Sequence, residues 1–136
     1  MPSQGQIIWA NVYDPQGRNP KDRPLLVVSN TSEIAEEAPF WCVAISHTLP
    51  PTLPDHWILL PFSNTGPHPE TGLKKKCAAV CDWPVQIRPQ DIKSVVGSAP
   101  PKHLNKILEK IRELGSIARA SKQTQVRDGS ESTELS

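Results

Sequence analysis

Fifteen prolines are scattered through the 136 residues of this chain. Each fixes φ and removes a backbone donor, so each is poorly tolerated inside a helix or a central strand. A chain punctuated in this way builds short elements and disfavours a bundle of long helices. The residues between the breakers agree. Gln6-Ile7-Ile8-Trp9-Ala10-Asn11-Val12-Tyr13 is rich in β-branched and aromatic residues and reads as a first strand. Asp14-Pro15-Gln16-Gly17 is a turn signal, and the polar run Arg18 to Pro24 continues it as a loop. Leu25-Leu26-Val27-Val28-Ser29 is a short apolar run suited to a buried second strand.

Phe40 to Ser46 reads as strand three and His56 to Leu60 as strand four, separated by a proline-rich loop. The polar, acidic stretch Asn30 to Pro39 has room for one helical turn at most. Cys77 to Asp82 reads as strand five, broken by Trp83-Pro84, with two further short strand candidates at Val85 to Ile87 and Ile92 to Val96. The one clear helix follows Pro100-Pro101, since proline is tolerated in a first helical turn. Leu104, Ile107, Leu108, Ile111 and Leu114 form a single apolar stripe along it, and Gly115 is a plausible stop. From Arg119 to Ser136 large apolar residues almost vanish, and this stretch reads as a disordered polar tail after a domain spanning 1–118. Many short strands closed by one amphipathic helix predict a mainly β, α+β domain: a small, strongly bent antiparallel sheet with the helix packed on it.

The net charge of +1 offers no global field toward nucleic acid or membrane, so any anion site must be local. Three cysteines, an odd number without framework spacing, read as reduced thiols of a cytoplasmic protein. The first residues carry neither a basic flank nor an apolar segment, so no signal peptide is expected, and no apolar run approaches membrane-spanning length. Phosphate-loop, nucleophile-elbow and zinc-finger spacings are absent. Cys77 and Cys81 would share one strand face and read as two small buried residues.

Arg23 lies between a polar loop and a buried strand, and Pro24 biases it toward extended geometry. That places a guanidinium on a rigid element, an arrangement suited to phosphate oxygens. The competing reading is a structural ion pair with Asp22 or Asp82. Ser46 and His47 end strand three at a loop mouth, where His47 has the chemistry of an acid or base near neutral pH, though a turn residue and a solvated ring would look the same. Lys74-Lys75-Lys76 reads either as a protected strand edge or as a track for a phosphate backbone. Asp82 could serve as a base, an orienting carboxylate or a turn former. Trp57 and Trp83 read as core residues or as stacking faces for bases.

In order along the chain stand Gly5-Gln6-Ile7-Ile8-Trp9, then Arg23-Pro24-Leu25-Leu26-Val27-Val28-Ser29, Ala44-Ile45-Ser46, Thr71-Gly72-Leu73-Lys74-Lys75, Val80-Cys81-Asp82 and Val96-Gly97 before the helix. Together these segments, from Gly5 to about Leu114, resemble the PemK/MazF family of toxin endoribonucleases. The resemblance implies an SH3-like barrel with a C-terminal helix, usually homodimeric. It also implies metal-independent cleavage of single-stranded RNA, no cofactor, and a cognate antitoxin that fills the RNA groove. Arg23 then matches the catalytic arginine of the family's RP segment, Ser46 a catalytic Thr or Ser, and Asp82 an aspartate of the PemK-like branch. His47 is a further catalytic candidate, and Arg18, Lys21, Lys74, Lys75 and Lys76 are candidates for binding RNA.

Two departures stand out. The PemK-like branch carries an Arg two residues before the aspartate, where this chain has Val80, and some members carry a His in the loop after strand one, where this chain has Arg18 and Asn19. These departures leave the general acid and base unassigned, with His47, Lys76 or Arg18 the expected substitutes. A non-catalytic SH3-like nucleic-acid-binding or regulatory module is the alternative reading, favoured by Val80 and opposed by Arg23 and Ser46. A toxin of the same fold acting on a protein such as DNA gyrase is a third, opposed by the intact RP and TGLKK segments.

Overall fold

The computed structural model describes residues 2–120. Six strands follow one another as β1 Gln6–Val12, β2 Lys21–Val27, β3 Phe40–Ser46, β4 Trp57–Leu60, β5 Cys77–Ile87 and β6 Ser94–Ser98, and the helix α1 spans Pro101–Leu114. They form one sheet in the order β4-β5-β3-β2-β1-β6, with every neighbouring pair antiparallel. The sheet curls into a half-barrel whose edge strands, β4 and β6, are not paired with each other. Among the described residues no helix is long and apolar enough to cross a membrane.

Alternation along the strands separates two cores. On one face Ile7, Leu26, Val43, Ile45, Ala79 and Cys81 pack under Ile107 and Ile111 of α1. On the other, Ile8, Ala10, Leu25, Val27, Cys42, Ala44 and Ile87 close a second cluster with Phe40 and Ile34. Cys77 and Cys81 do share a face, and both thiols are buried in the first core. The helical stripe is seated as its spacing predicts, with Leu104, Leu108 and Leu114 flanking the two buried isoleucines. Gly115 ends α1 in the left-handed region at φ 65°, donating its N–H to Ile111 and Arg112, after which helical backbone resumes at 116–120.

Three sequence expectations need correction. The polar loop before the second strand is shorter than composition suggests, because β2 begins at Lys21 and ends at Val27. Arg23 is thus inside the strand, opposite Ala10, and Pro24 lies opposite Trp9. The β2–β3 ladder starts at Leu25, so Pro24 stands just outside it, where its missing donor is tolerated. Second, Trp83-Pro84 does not break β5. The β3–β5 register jumps from Ile45↔Ala79 to Val43↔Pro84, and the extra residues on β5 form a bulge that bends the strand and admits the proline. Third, β6 runs Ser94–Ser98 rather than Ile92 to Val96, because a 3-10 turn at Pro89–Asp91 takes the preceding residues, with Asp91 accepting from the Arg88 N–H. The expected tail from Arg119 falls, beyond Ala120, outside the described residues.

Candidate functional site

The loop between β1 and β2 is ordered by one carboxylate. Asp14 accepts from the Gln16 N–H at 3.1 Å and the Arg18 N–H at 2.8 Å through Oδ1, and from the Asn19 side chain at 2.8 Å through Oδ2. The Arg18 N–H and these other donors favour the charged form and hold the Asp14 carboxyl below its ordinary range. Asn19, in the left-handed region at φ 54°, turns its carbonyl back to accept from Arg23 Nη2 at 3.3 Å. The loop therefore fixes one side of the Arg23 guanidinium.

The other side is held by Trp83. The β5 bulge brings this residue beside the second core, and Arg23 Cζ stands 5.1 Å from its ring centroid. Such contacts are worth about 0.5–1 kcal/mol at exposed sites. Neither carboxylate expected to neutralise Arg23 does so: Asp22 binds Lys93 at 2.9 Å, and Asp82 meets His56 at 3.1 Å. Among the described residues no ion pair involves Arg23, and its Nε is buried with no hydrogen-bond partner. A half-buried guanidinium oriented on both sides, with donor capacity unspent, suits an incoming anion.

Ser46 stands two residues beyond Ala44, as Arg23 stands two before its partner Leu25, so both lie at one end of the β2–β3 ladder. Strand alternation puts them on the same sheet face. The Ser46 hydroxyl lies 3.2 Å from both the N–H and the carbonyl of Thr48, closing a local turn. Asp82 lies beside Trp83 and lines an open groove of about 520 Å³ with Asn11, Tyr13, Asp14 and Asp91, an acidic surface.

His47, Lys74 and Lys75 line a different groove, of about 450 Å³, together with Trp9, Pro24 and Val95. Trp9 and Val95 are exposed there. The backbone that leads to the two lysines is anchored by hydrogen bonds and close packing. Thr71 is wholly buried; its Oγ1 donates to Pro61 at 2.8 Å and accepts from the Leu73 N–H at 3.2 Å. Gly72, at φ 73°, lies so close to β6 that an added Cβ would clash with the Val96 carbonyl. The Thr71-Gly72 pair is thus a packing device that delivers Lys74 and Lys75 to the groove mouth. Lys76, Lys21 and Arg18 are exposed outside this groove.

The structure thus divides the sequence candidates: Arg23, Ser46 and Asp82 share one face, while His47, Lys74 and Lys75 line the groove with Trp9 and Pro24. Sequence reasoning missed His56. The residue lies 26 positions from Asp82 and meets it only because β4 pairs with β5, where the Cys81 N–H donates to the His56 carbonyl at 3.0 Å. It also gave Trp83 two roles, core or stacking face, where the structure adds a third as a platform for Arg23. Val80, at the place of the missing arginine, is buried opposite Trp57.

The model of the family described as PemK-like, MazF-like toxin of type II toxin-antitoxin system matches residues 3–115. No curated protein shows a significant match to the chain. Solved structures do. An endoribonuclease from a Mycobacterial species is 22% identical with a TM-score of 0.56, covering 84% of this chain and 91% of its own. A second Mycobacterial endoribonuclease, solved with its cognate antitoxin, is 18% identical with a TM-score of 0.55, covering 84% and 93%. MazF from Deinococcus radiodurans is 17% identical with a TM-score of 0.61, covering 83% and 94%. At these identities the structures establish the shared fold, and the family match over nearly the whole described chain establishes kinship: this protein belongs to the PemK-like, MazF-like toxin family of type II toxin-antitoxin systems.

Proposed function

We propose that the chain is the toxin of a type II toxin-antitoxin pair and cleaves single-stranded RNA. The observation that carries this reading is the unpaired Arg23 guanidinium, fixed between the Asn19 carbonyl and the Trp83 ring with Nε unspent. The ribose 2′-OH attacks its own 3′ phosphate, the bond from phosphorus to the 5′-oxygen breaks, and the products carry a 2′,3′-cyclic phosphate and a 5′-OH. Negative charge grows on the phosphate oxygens in the transition state, and a fixed cation there is worth more than one that must be reoriented. Arg23 takes that role, with Ser46 and Asp82 on the same face.

The 2′-OH requirement makes DNA a non-substrate. No step of this reaction calls on a metal ion or other cofactor. The Lys74-Lys75 groove, with exposed Trp9, supplies backbone neutralisation and a stacking face for the strand. The Mycobacterial endoribonuclease solved with its cognate antitoxin supports a cognate antitoxin as partner. A homodimer acting in the cytoplasm completes the reading.

The buried Val80 favours a second reading, a non-catalytic RNA-binding module. Incubation of the purified chain with a long single-stranded RNA and chelator, followed by mapping of the ends, separates the two. Cyclic-phosphate ends are expected; bound but intact RNA would establish the module instead.

A further inference from the structure

The reaction proposed above lacks a proton acceptor, and the structure offers one that neither the family match nor the sequence motifs point to. His56 immediately precedes β4, and its Nε2 lies 3.1 Å from Asp82 Oδ2. Asp82 adjoins Trp83, and the Trp83 ring carries the Arg23 guanidinium. Asp82 and Trp83, consecutive on the bulged part of β5, thus tie the imidazole, the carboxylate and the cation into one row of contacts and chain neighbours. The His56 side chain is 30% exposed and that of Asp82 46%, so a ligand can reach both. Among the described residues Nδ1 of His56 makes no hydrogen bond.

We infer that His56 is the general base of RNA cleavage and that Asp82 is its positioning residue; the inference rests on the RNA-cleaving reading. The carboxylate accepts a hydrogen bond, so the Nε2 that faces it carries the proton and the neutral ring keeps its lone pair on Nδ1. Nδ1 takes the proton of the ribose 2′-OH as the 2′-oxygen bonds to phosphorus. The bond from phosphorus to the 5′-oxygen breaks, the departing oxygen takes a proton from water, and the hydroxide left behind takes the proton back from the imidazolium. Protons balance over the cycle, and the ring returns to its starting state. Asp82 stabilises the imidazolium in between, which is work a carboxylate performs without itself being protonated.

The row also accounts for the valine at position 80. With an imidazole supplied across the β4–β5 ladder, an arginine on β5 is not needed for proton transfer. The buried Val80 packs opposite Trp57, the residue next to His56, and so fixes the strand that presents the imidazole.

Other charged groups near His56 are few. Asp55 precedes it and acts on it through charge, while its carboxylate is held by Lys110 of α1 at 2.7 Å. Cys81, across the ladder, has a buried thiol that stays protonated.

The test uses the full chain, a labelled single-stranded RNA that it cleaves, and single-turnover rates from acid to alkaline pH. His56→Ala is expected to lose about 10²–10⁴-fold in rate, within the range for removing one acid–base group. Its RNA affinity and melting temperature should stay close to those of the unmodified chain. His56→Gln separates catalysis from architecture. The Gln amide still donates to Asp82 but accepts no proton, so it should be as slow as His56→Ala if the imidazole is the base. A merely structural His56 would be rescued by Gln. The acidic limb of the pH–rate profile should disappear in both variants, and added imidazole should restore part of the His56→Ala rate. Asp82→Asn should slow cleavage less and shift that limb. A cleaving unmodified chain whose His56→Ala variant keeps its rate and pH profile overturns the role of His56 alone. No cleavage by the unmodified chain overturns this role together with the reading beneath it.

Discussion

Thr71 tests how the fold delivers its lysines. The side chain is wholly buried, and its hydroxyl serves two backbone groups, donating to the Pro61 carbonyl at 2.8 Å and accepting from the Leu73 N–H at 3.2 Å. Thr71→Val keeps the shape and deletes the hydroxyl. The Leu73 N–H is then buried without an acceptor, at a cost of about 1–3 kcal/mol, and the bond to Pro61 is lost for about 1 kcal/mol more. The expected destabilisation is about 2–4 kcal/mol, which lowers the melting temperature of a domain this size by about 6–16 °C. Thr71→Ser is the control. It retains the hydroxyl, gives up one methyl, and should cost about 1 kcal/mol. Thermal melts followed by tryptophan fluorescence compare the two directly. A Thr71→Val protein that melts level with or above Thr71→Ser would refute the view that this hydroxyl holds the Lys74-Lys75 segment in place.

Three further outcomes follow from single contacts. Trp83→Leu keeps apolar bulk but removes the ring under Arg23; loss of a contact worth about 0.5–2 kcal/mol predicts roughly 2- to 30-fold weaker binding of a labelled single-stranded RNA by fluorescence anisotropy, and unchanged affinity would count against the platform role. The Asp55 carboxyl, held below its ordinary range by the Lys110 hydrogen bond, adds stability that is fully present above the unfolded value of 3.8 and is lost as pH falls through the lower folded value. Asp55→Asn should therefore melt below the unmodified chain at neutral pH, and the gap should close in acid below that folded value. Burial pushes the Cys77 thiol up to about 11 and the Cys81 thiol to about 12, with Cys42 higher still. A thiol reagent at pH 8 should leave all three cysteines untouched in the folded protein and titrate three after denaturation.

The order of strands and helix was legible because alternation and proline spacing are local signals. Gln6–Val12, Phe40–Ser46 and the α1 stripe follow directly from them. Two of the strands that sequence reading mis-drew, β2 and β5, are where long-range pairing overrode local chemistry. Lys21, Asp22 and Arg23 look like loop residues until β1 pairs with them, and Pro84 looks like a terminus until the β3–β5 bulge absorbs it. The site was legible to the same degree. Arg23 stands out because Pro24 follows it, yet its lack of an ion pair depends on Lys93 and His56 claiming the two nearby aspartates. His56 carried no local signal, since its meaning comes wholly from the β4–β5 register. The cation run, read either as a protected strand edge or as a phosphate track, is split: Lys74 and Lys75 line the groove and Lys76 does not.

The central claim is that Arg23 stabilises charge developing on an RNA phosphate. The most direct measurement is the single-turnover rate of RNA cleavage, with chelator present, for the unmodified chain, Arg23→Lys and Arg23→Ala. If a fixed, planar guanidinium does this work, Arg23→Ala should lose about 10²–10³-fold or more in rate, and Arg23→Lys should recover only a small part, because an ammonium keeps the charge but not the fork held between Asn19 and Trp83. Cleavage to cyclic-phosphate ends at an unchanged rate in Arg23→Ala would contradict the account.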